Sequence, residues 1–278
     1  MKTNEMTELK EGQSIELLKE LHILTRDGKL NQDSRRKLKQ IYHLLQFVEP
    51  LIAQSVKQNS SAIIVDHGAG KSYLGFIIYD LLLKNLAQSN IYGIETRPEL
   101  VAKCKEIATK LSFNRMHFLN LSVAESAHSE QIPAQVDIVT ALHACDTATD
   151  DAIDFALTKN AKHIVLIPCC QAEVAAELKK QKPKMLHLAQ TELWRHALHT
   201  REFGSHLTNV LRCLRLESMG YQVTVTEFTG LEHSLKNELI IASKIEKFRS
   251  KQAEKLQSLI NDYQLEQLKD RFKVTSPQ

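Results

Sequence analysis

Residues 62–73 read Ala62-Ile63-Ile64-Val65-Asp66-His67-Gly68-Ala69-Gly70-Lys71-Ser72-Tyr73. The apolar run Ala62 to Val65 has the length of a short buried strand. It runs into an acid and a turn bearing two glycines, and a helical pattern follows from Ser72 to about Leu86. A strand feeding a glycine turn and then a helix lets the backbone bend tightly and brings a ligand close to the helix N-terminus. The chain holds only 9 glycines, so Gly68 and Gly70 carry weight. Two nucleotide readings fail here. A Walker A loop needs a glycine where Val65 stands, five positions before the glycine of Gly70-Lys71-Ser72. A dinucleotide fingerprint needs a third glycine where Tyr73 stands.

Outward from this turn, short apolar runs alternate with helical patterns. Strands are expected over 91–95, 116–119, 136–142 and 163–167, with helices over 98–111 and 147–160. Such alternation means a parallel sheet covered on both faces. The last two runs, 221–228 and 238–242, are separated by about ten residues, which suits an antiparallel pair. The expected fold is α/β and Rossmann-like: the seven-stranded, mostly parallel sheet of class I methyltransferases, with helices on both faces and an N-terminal helical cap. Three parts follow: a cap over 1–59, a core over 60–245 with a helical insertion at 173–217, and a terminal helix over 246–278. Within the cap, Arg26-Asp27-Gly28-Lys29 reads as a turn, and Asn31 to Ser34 offer capping groups for a second helix. Glu95 closes the second strand about 25 residues beyond the turn. A strand-end carboxylate there can accept hydrogen bonds from both hydroxyls of a ribose.

The chain has 278 residues, 43% hydrophobic and 25% charged. These proportions permit a real core and exclude a disordered or collagen-like chain. The net charge of +3 is too small to imply nucleic acid by itself. The 5 cysteines, with Cys169 and Cys170 adjacent, make a poor disulfide framework and suit a reducing, cytoplasmic setting. No signal peptide or spanning segment is expected, and no metal site, because the histidines are scattered and no paired CxxC occurs.

Three segments resemble one class I methyltransferase family. Val65 to Leu74 matches D-x-G-x-G-K-G-x-L, Leu142-His143-Ala144-Cys145 to Asp150 matches L-H-A-C-x-x-A-T-D, and Pro168-Cys169-Cys170 matches P-C-C. That family includes the methyltransferase domain fused to a glutathione-transferase-like domain in animals. It is more distantly similar to tRNA acceptor-stem 2′-O-methyltransferases. The resemblance implies binding of S-adenosylmethionine (SAM) and methyl transfer, with RNA as the substrate class and tRNA as its narrower form. Ser72 departs from the family's glycine, and Gln171 from the histidine of the tRNA enzymes.

The cofactor set implied is Asp66, His67, Gly68, Ala69, Gly70, Lys71, Glu95, Thr96, Arg97, Leu121, Ser122, Leu142 and His143. For catalysis, His143 and Asp146 are candidates to accept a proton from a nucleophile. Cys169 and Cys170 are candidates for pocket shaping or, as the sharper alternative, covalent attack. Pro168, Trp194, Arg195, His199, Arg201, Lys236 and Asn237 are expected on the substrate side. The segment 173–217 interleaves cations, Arg212 and Arg215 among them, with aromatics, a mixture that can hold phosphates and stack bases. Its glutamates also allow a plain solvated face. Two other readings stay open: methylation of a protein or small molecule, and a SAM-binding module without catalysis. The oligomeric state is not legible.

Overall fold

The computed structural model describes residues 8–142, 146–168, 171–185, 187–228, 238–245 and 247–274. Seven strands form one sheet: β1 Ile63–His67, β2 Asn90–Glu95, β3 Met116–Asn120, β4 Ile138–Ala141, β5 His163–Leu166, β6 Tyr221–Glu227 and β7 Glu238–Lys244. Their order is β3-β2-β1-β4-β5-β7-β6. The first five run parallel, and β7 lies antiparallel to both β5 and β6. The order reverses beside β1, so the crevice at the strand C-termini opens between β1 and β4. Open α/β sheets bind ligands at such a switch point.

The helices are α1 Ile15–Glu20, α2 Gln32–Asn59, α3 Tyr73–Ile78, α4 Pro98–Lys110, α5 Val123–Ala127, α6 Thr147–Thr158, α7 Glu173–Met185, α8 Ala197–Ser218 and α9 Ser250–Asp262. The expected cap of α2 forms: the Asn31 side chain accepts from the Ser34 N–H at 2.8 Å. The helix expected to reach Leu86 is instead α3 followed by a π-helical turn over Tyr79–Leu83. Arg115 donates to the carbonyls of Leu83, at 3.3 Å, and Lys84, at 2.8 Å, and so satisfies the end of that turn. The short helix α5 falls where the sequence showed only a connection.

Strand residues alternate between the two faces. Ile64 joins a core built with α1, α2, α3 and α4. Val65 joins a second core with α6 and the end of α8. A third cluster packs α7, α8 and α9 around Trp194. The change of pattern near residue 60 is therefore no break in packing, because Leu38, Leu45, Val48 and Ile52 of α2 share one core with the sheet. No helix among the described residues is long and apolar enough to cross a membrane.

Candidate active site

The turn after β1 is bound to the end of β2. Gly68 and Gly70 both have positive φ, 65° and 57°. This is the region where a side chain strains the backbone. Ala69 N–H donates to the Ile94 carbonyl at 3.1 Å, and Gly70 N–H donates to Glu95 Oε2 at 2.8 Å. Glu95 therefore fixes the turn before any ligand arrives. Its other partners are the Arg97 guanidinium, at 3.0 Å to each carboxylate oxygen, and the Thr96 hydroxyl. Hydrogen bonds from Arg97 outweigh partial burial and hold the Glu95 carboxyl at about 2. Glu95 is therefore an ionised acceptor at neutral pH, and its main partner Arg97 lies on the surface.

Ser72 follows the turn with φ 52° and ψ 36° and is buried. Its hydroxyl has no hydrogen-bond partner. The family's glycine would carry neither cost. Asp66 and His67, adjacent in sequence, face opposite ways. Asp66 points to the α2–α3 side, where its Oδ1 accepts from Thr140 Oγ1 at 2.6 Å. Burial raises its pKa to about 7 despite that bond. His67 points into the second core, edge-on to Phe155 with ring centroids 4.5 Å apart. Both ring nitrogens are unbonded there, and burial lowers its pKa to about 3. The ring expected among the cofactor contacts is thus turned away from Asp66, because successive strand residues alternate.

Beside Asp66 lies a cleft of about 210 Å³. Its floor is Asp66, Gly68 and Leu142, and its wall includes Lys37 and Gln40 of α2 and Tyr73 of α3. The N-terminal helices thus supply a wall of the crevice. Lys71 points elsewhere, into a smaller recess with Glu20, His22 and Lys103.

A second constellation lies behind the ends of β4 and β5. Asp150 and Arg212 are both buried and form a two-pronged ion pair, Nε–Oδ1 at 2.8 Å and Nη2–Oδ2 at 2.7 Å. Arg212 also donates to the Asp146 carbonyl at 2.9 Å. Asp146 has φ 51° and ψ −120°, a costly conformation for a residue with a side chain. Its carboxylate accepts from the Ala172 N–H at 3.1 Å, which links the end of β4 to the end of β5. Buried Gln171 donates to Asn209 Oδ1 at 2.9 Å and accepts from Ser205 at 3.1 Å. Asn209 in turn donates to Glu238 at the start of β7. One face of α8 therefore holds three strand ends together.

Other expected residues fall differently. Trp194, expected to stack on a substrate, is wholly buried between Phe203 and Tyr263. Its role is to seal the third core, because α9 covers the face that the sequence left open. Arg212 and Arg215, counted among the basic residues of the insertion, are buried ion-pair partners of Asp150 and Asp154. Arg195 and Arg201 are exposed and pair with the neighbouring Glu192 and Glu202. His199 is exposed and Pro168 is buried. Ser122 spends its hydroxyl on a capping box with Glu125 at the start of α5, and Leu121 packs partly into the second core. His143, Cys145, Cys169, Cys170, Lys236 and Asn237 lie outside the described residues. Sequence reasoning gave Lys37, Gln40 and Thr140 no place in the site; no motif marks any of the three.

This set of groups fits SAM. An ionised carboxylate stands at the end of β2 for the ribose. The turn carries glycine at φ 57°, where a side chain would strain the backbone beside Arg97 and Glu95. A cleft with one acid and one lysine opens on the β1–β4 side. A family of proteins described as "Methyltransferase domain" matches residues 36–177, just over half the chain. A glutathione S-transferase C-terminal domain-containing protein of Xenopus laevis is 24% identical over 79% of this chain, and the human protein of that name is 22% identical over 78%. The chain spans 36% and 34% of those proteins, about a third of their length. The SAH-bound methyltransferase PaMTH1 of Podospora anserina is 11% identical, with a TM-score of 0.48 over 88% of this chain and 98% of that one. The chain belongs to the methyltransferase-domain family, as a Rossmann-like methyltransferase domain whose methyl donor is SAM.

Proposed function

We propose that this domain transfers the methyl group of SAM to RNA. The observation that carries the substrate class is the position of α2. Its first turns hold Arg35, Arg36, Lys37 and Lys39, and Lys37 and Gln40 line the cleft at the cofactor turn. Lys37 turns into the cleft, and Arg35, Arg36 and Lys39 on the same turns of α2 are the cations beside it; such a run suits a polyanion, whose phosphates it positions without reading the sequence. Exposed Arg195 and Arg201 extend the same chemistry less strongly, since each has a glutamate beside it.

The bound cofactor supplies an electrophilic methyl group on a sulfonium; alignment and proton handling fall to the chain. Glu95 accepts from the ribose hydroxyls, with Arg97 yielding its place on the carboxylate. The turn of Gly68, Ala69 and Gly70 lies close beneath the ligand. The Asp150–Arg212 pair holds Asp146 and Ala172 and so sets the spacing of the β4 and β5 ends where the nucleophile enters. His143 and Asp146 are the residues to which we assign the nucleophile's proton. Cys169 and Cys170, after Pro168, shape the substrate side.

Incubation with methyl-labelled SAM and fractionated cell extract tests the reading. Label in RNA is expected; label confined to protein or small metabolites overturns the substrate. Gly70→Arg, which forces a large side chain into a positive-φ turn beside Arg97, should abolish SAM binding in calorimetry. Glu95→Ala should weaken it about tenfold or more, the value of one lost charge-assisted acceptor.

A further inference from the structure

The sheet order fixes how an extended ligand lies across the strand ends. A ribose at Glu95 on β2 would leave one end of SAM over the glycine turn toward β1 and β4 and the other toward β3. The cleft bounded by Asp66, Gly68 and Leu142 on one side and by Lys37 and Tyr73 on the other lies on the β1–β4 side. The end of SAM whose charges suit an acid and a cation is its α-amino acid, which carries a carboxylate and an ammonium side by side.

The cleft offers the complementary pair. Among the described residues that line it, Asp66 is the one acid and Lys37 the one cation. Lys37 Nζ stands 5.7 Å from the centroid of the Tyr73 ring, which holds the ammonium at the cleft by a cation–π contact. No ion pair to Lys37 occurs among the described residues. Its neighbours differ: Arg35 pairs with Glu8 at 2.6 Å, and Arg36 approaches Asp33 at 3.9 Å. Of these three consecutive cations, the one that faces the cleft is the one without a carboxylate.

We propose that Lys37, on the helix that precedes the sheet, binds the amino-acid carboxylate of SAM, with Asp66 receiving the adjacent ammonium. The proposal rests on the SAM reading and adds to it a residue outside every cofactor motif of the sequence. It gives α2 a direct part in the cofactor site: the helix closes over the amino-acid end from the side opposite the motif turn.

Calorimetry of the full chain with two ligands tests this. S-adenosylhomocysteine carries the amino acid; 5′-methylthioadenosine has the same adenosine and thioether without it. Lys37→Ala should weaken S-adenosylhomocysteine about 10- to 100-fold, the worth of one charge-assisted hydrogen bond, and leave 5′-methylthioadenosine unchanged. Lys37→Arg should restore the first affinity to within a few-fold. Unchanged 5′-methylthioadenosine binding also reports that the variant is folded. Equal weakening of both ligands, or of neither, overturns the role of Lys37. Failure of the unsubstituted chain to bind either ligand overturns the SAM reading itself, a separate outcome.

Discussion

The turn after β1 and the junction behind β4 and β5 lie at the same edge of the sheet, yet they are built on opposite terms. The turn keeps groups in reserve. Glu95 is ionised with an exposed partner, and among the described residues Asp66 has one hydrogen bond and Lys37 an aromatic ring. The junction keeps nothing in reserve. Asp150, Arg212, Asn209 and Gln171 are all buried and bond to one another. A ligand site needs acceptors and donors that can change partners. A scaffold that fixes loop spacing needs partners that cannot. Under the proposed function, the turn is the side that receives SAM, and the junction is the scaffold that fixes the ends of β4 and β5.

The largest expected effect breaks the junction. Arg212→Ala leaves Asp150 charged and buried without a partner, which should cost about 3–5 kcal/mol of stability in urea unfolding. Replacing both by leucine should cost less than either single change. A loss under about 1 kcal/mol for Arg212→Ala would show that the pair carries no such load.

The next effect lies at the turn and reads on pH. Burial lowers His67 from 6.5 to about 3 and raises Asp66 from 3.8 to about 7. Between about pH 4 and 6.5 the folded state holds a proton on Asp66, and the unfolded state holds one on His67. The counts match, so the two contributions to the slope cancel. His67 alone gives stability that is lost as pH falls below 6.5; Asp66 alone gives stability that is lost as pH rises from 3.8 through about 7. Asp66→Asn should therefore tilt stability downward toward acid, and His67→Phe downward toward neutral pH, each by up to about 1.4 kcal/mol per pH unit relative to the parent. Urea unfolding at several pH values measures both slopes. Changes of the same sign would refute the opposed burial.

The smallest effect sharpens the turn alone. Ser72→Gly relieves a positive φ and removes a buried hydroxyl without a partner. It should raise stability by about 1 kcal/mol. A loss would mean that the serine has a favourable role that its surroundings do not display.

Much of this was legible because it is local. Short buried strands, the glycine turn and the Asn31 cap depend on neighbours in sequence, and each appears where its pattern placed it. The antiparallel end of the sheet followed from the ten-residue gap before β7. What escaped depended on which surface another element covers. Trp194 and Arg212 look like a stacking base and a phosphate ligand until α9 and α6 bury them. The ring of His67 looked available for the same reason: its motif position tells where the backbone goes, and strand alternation decides where the side chain goes.

By itself, the sequence determined the methyltransferase sheet, the cofactor turn and the acid at the end of β2, since these rest on hydrophobic period, glycine placement and chain spacing. Only the tertiary structure decided that Lys37 belongs to the crevice and Arg212 to the interior. Both are cations on amphipathic helices, and a helix carries no local record of the surface it will meet. Long-range packing brings Lys37 to an open cleft and Arg212 to Asp150, 62 residues away in sequence, so that packing, and not residue type, divides ligand chemistry from scaffold.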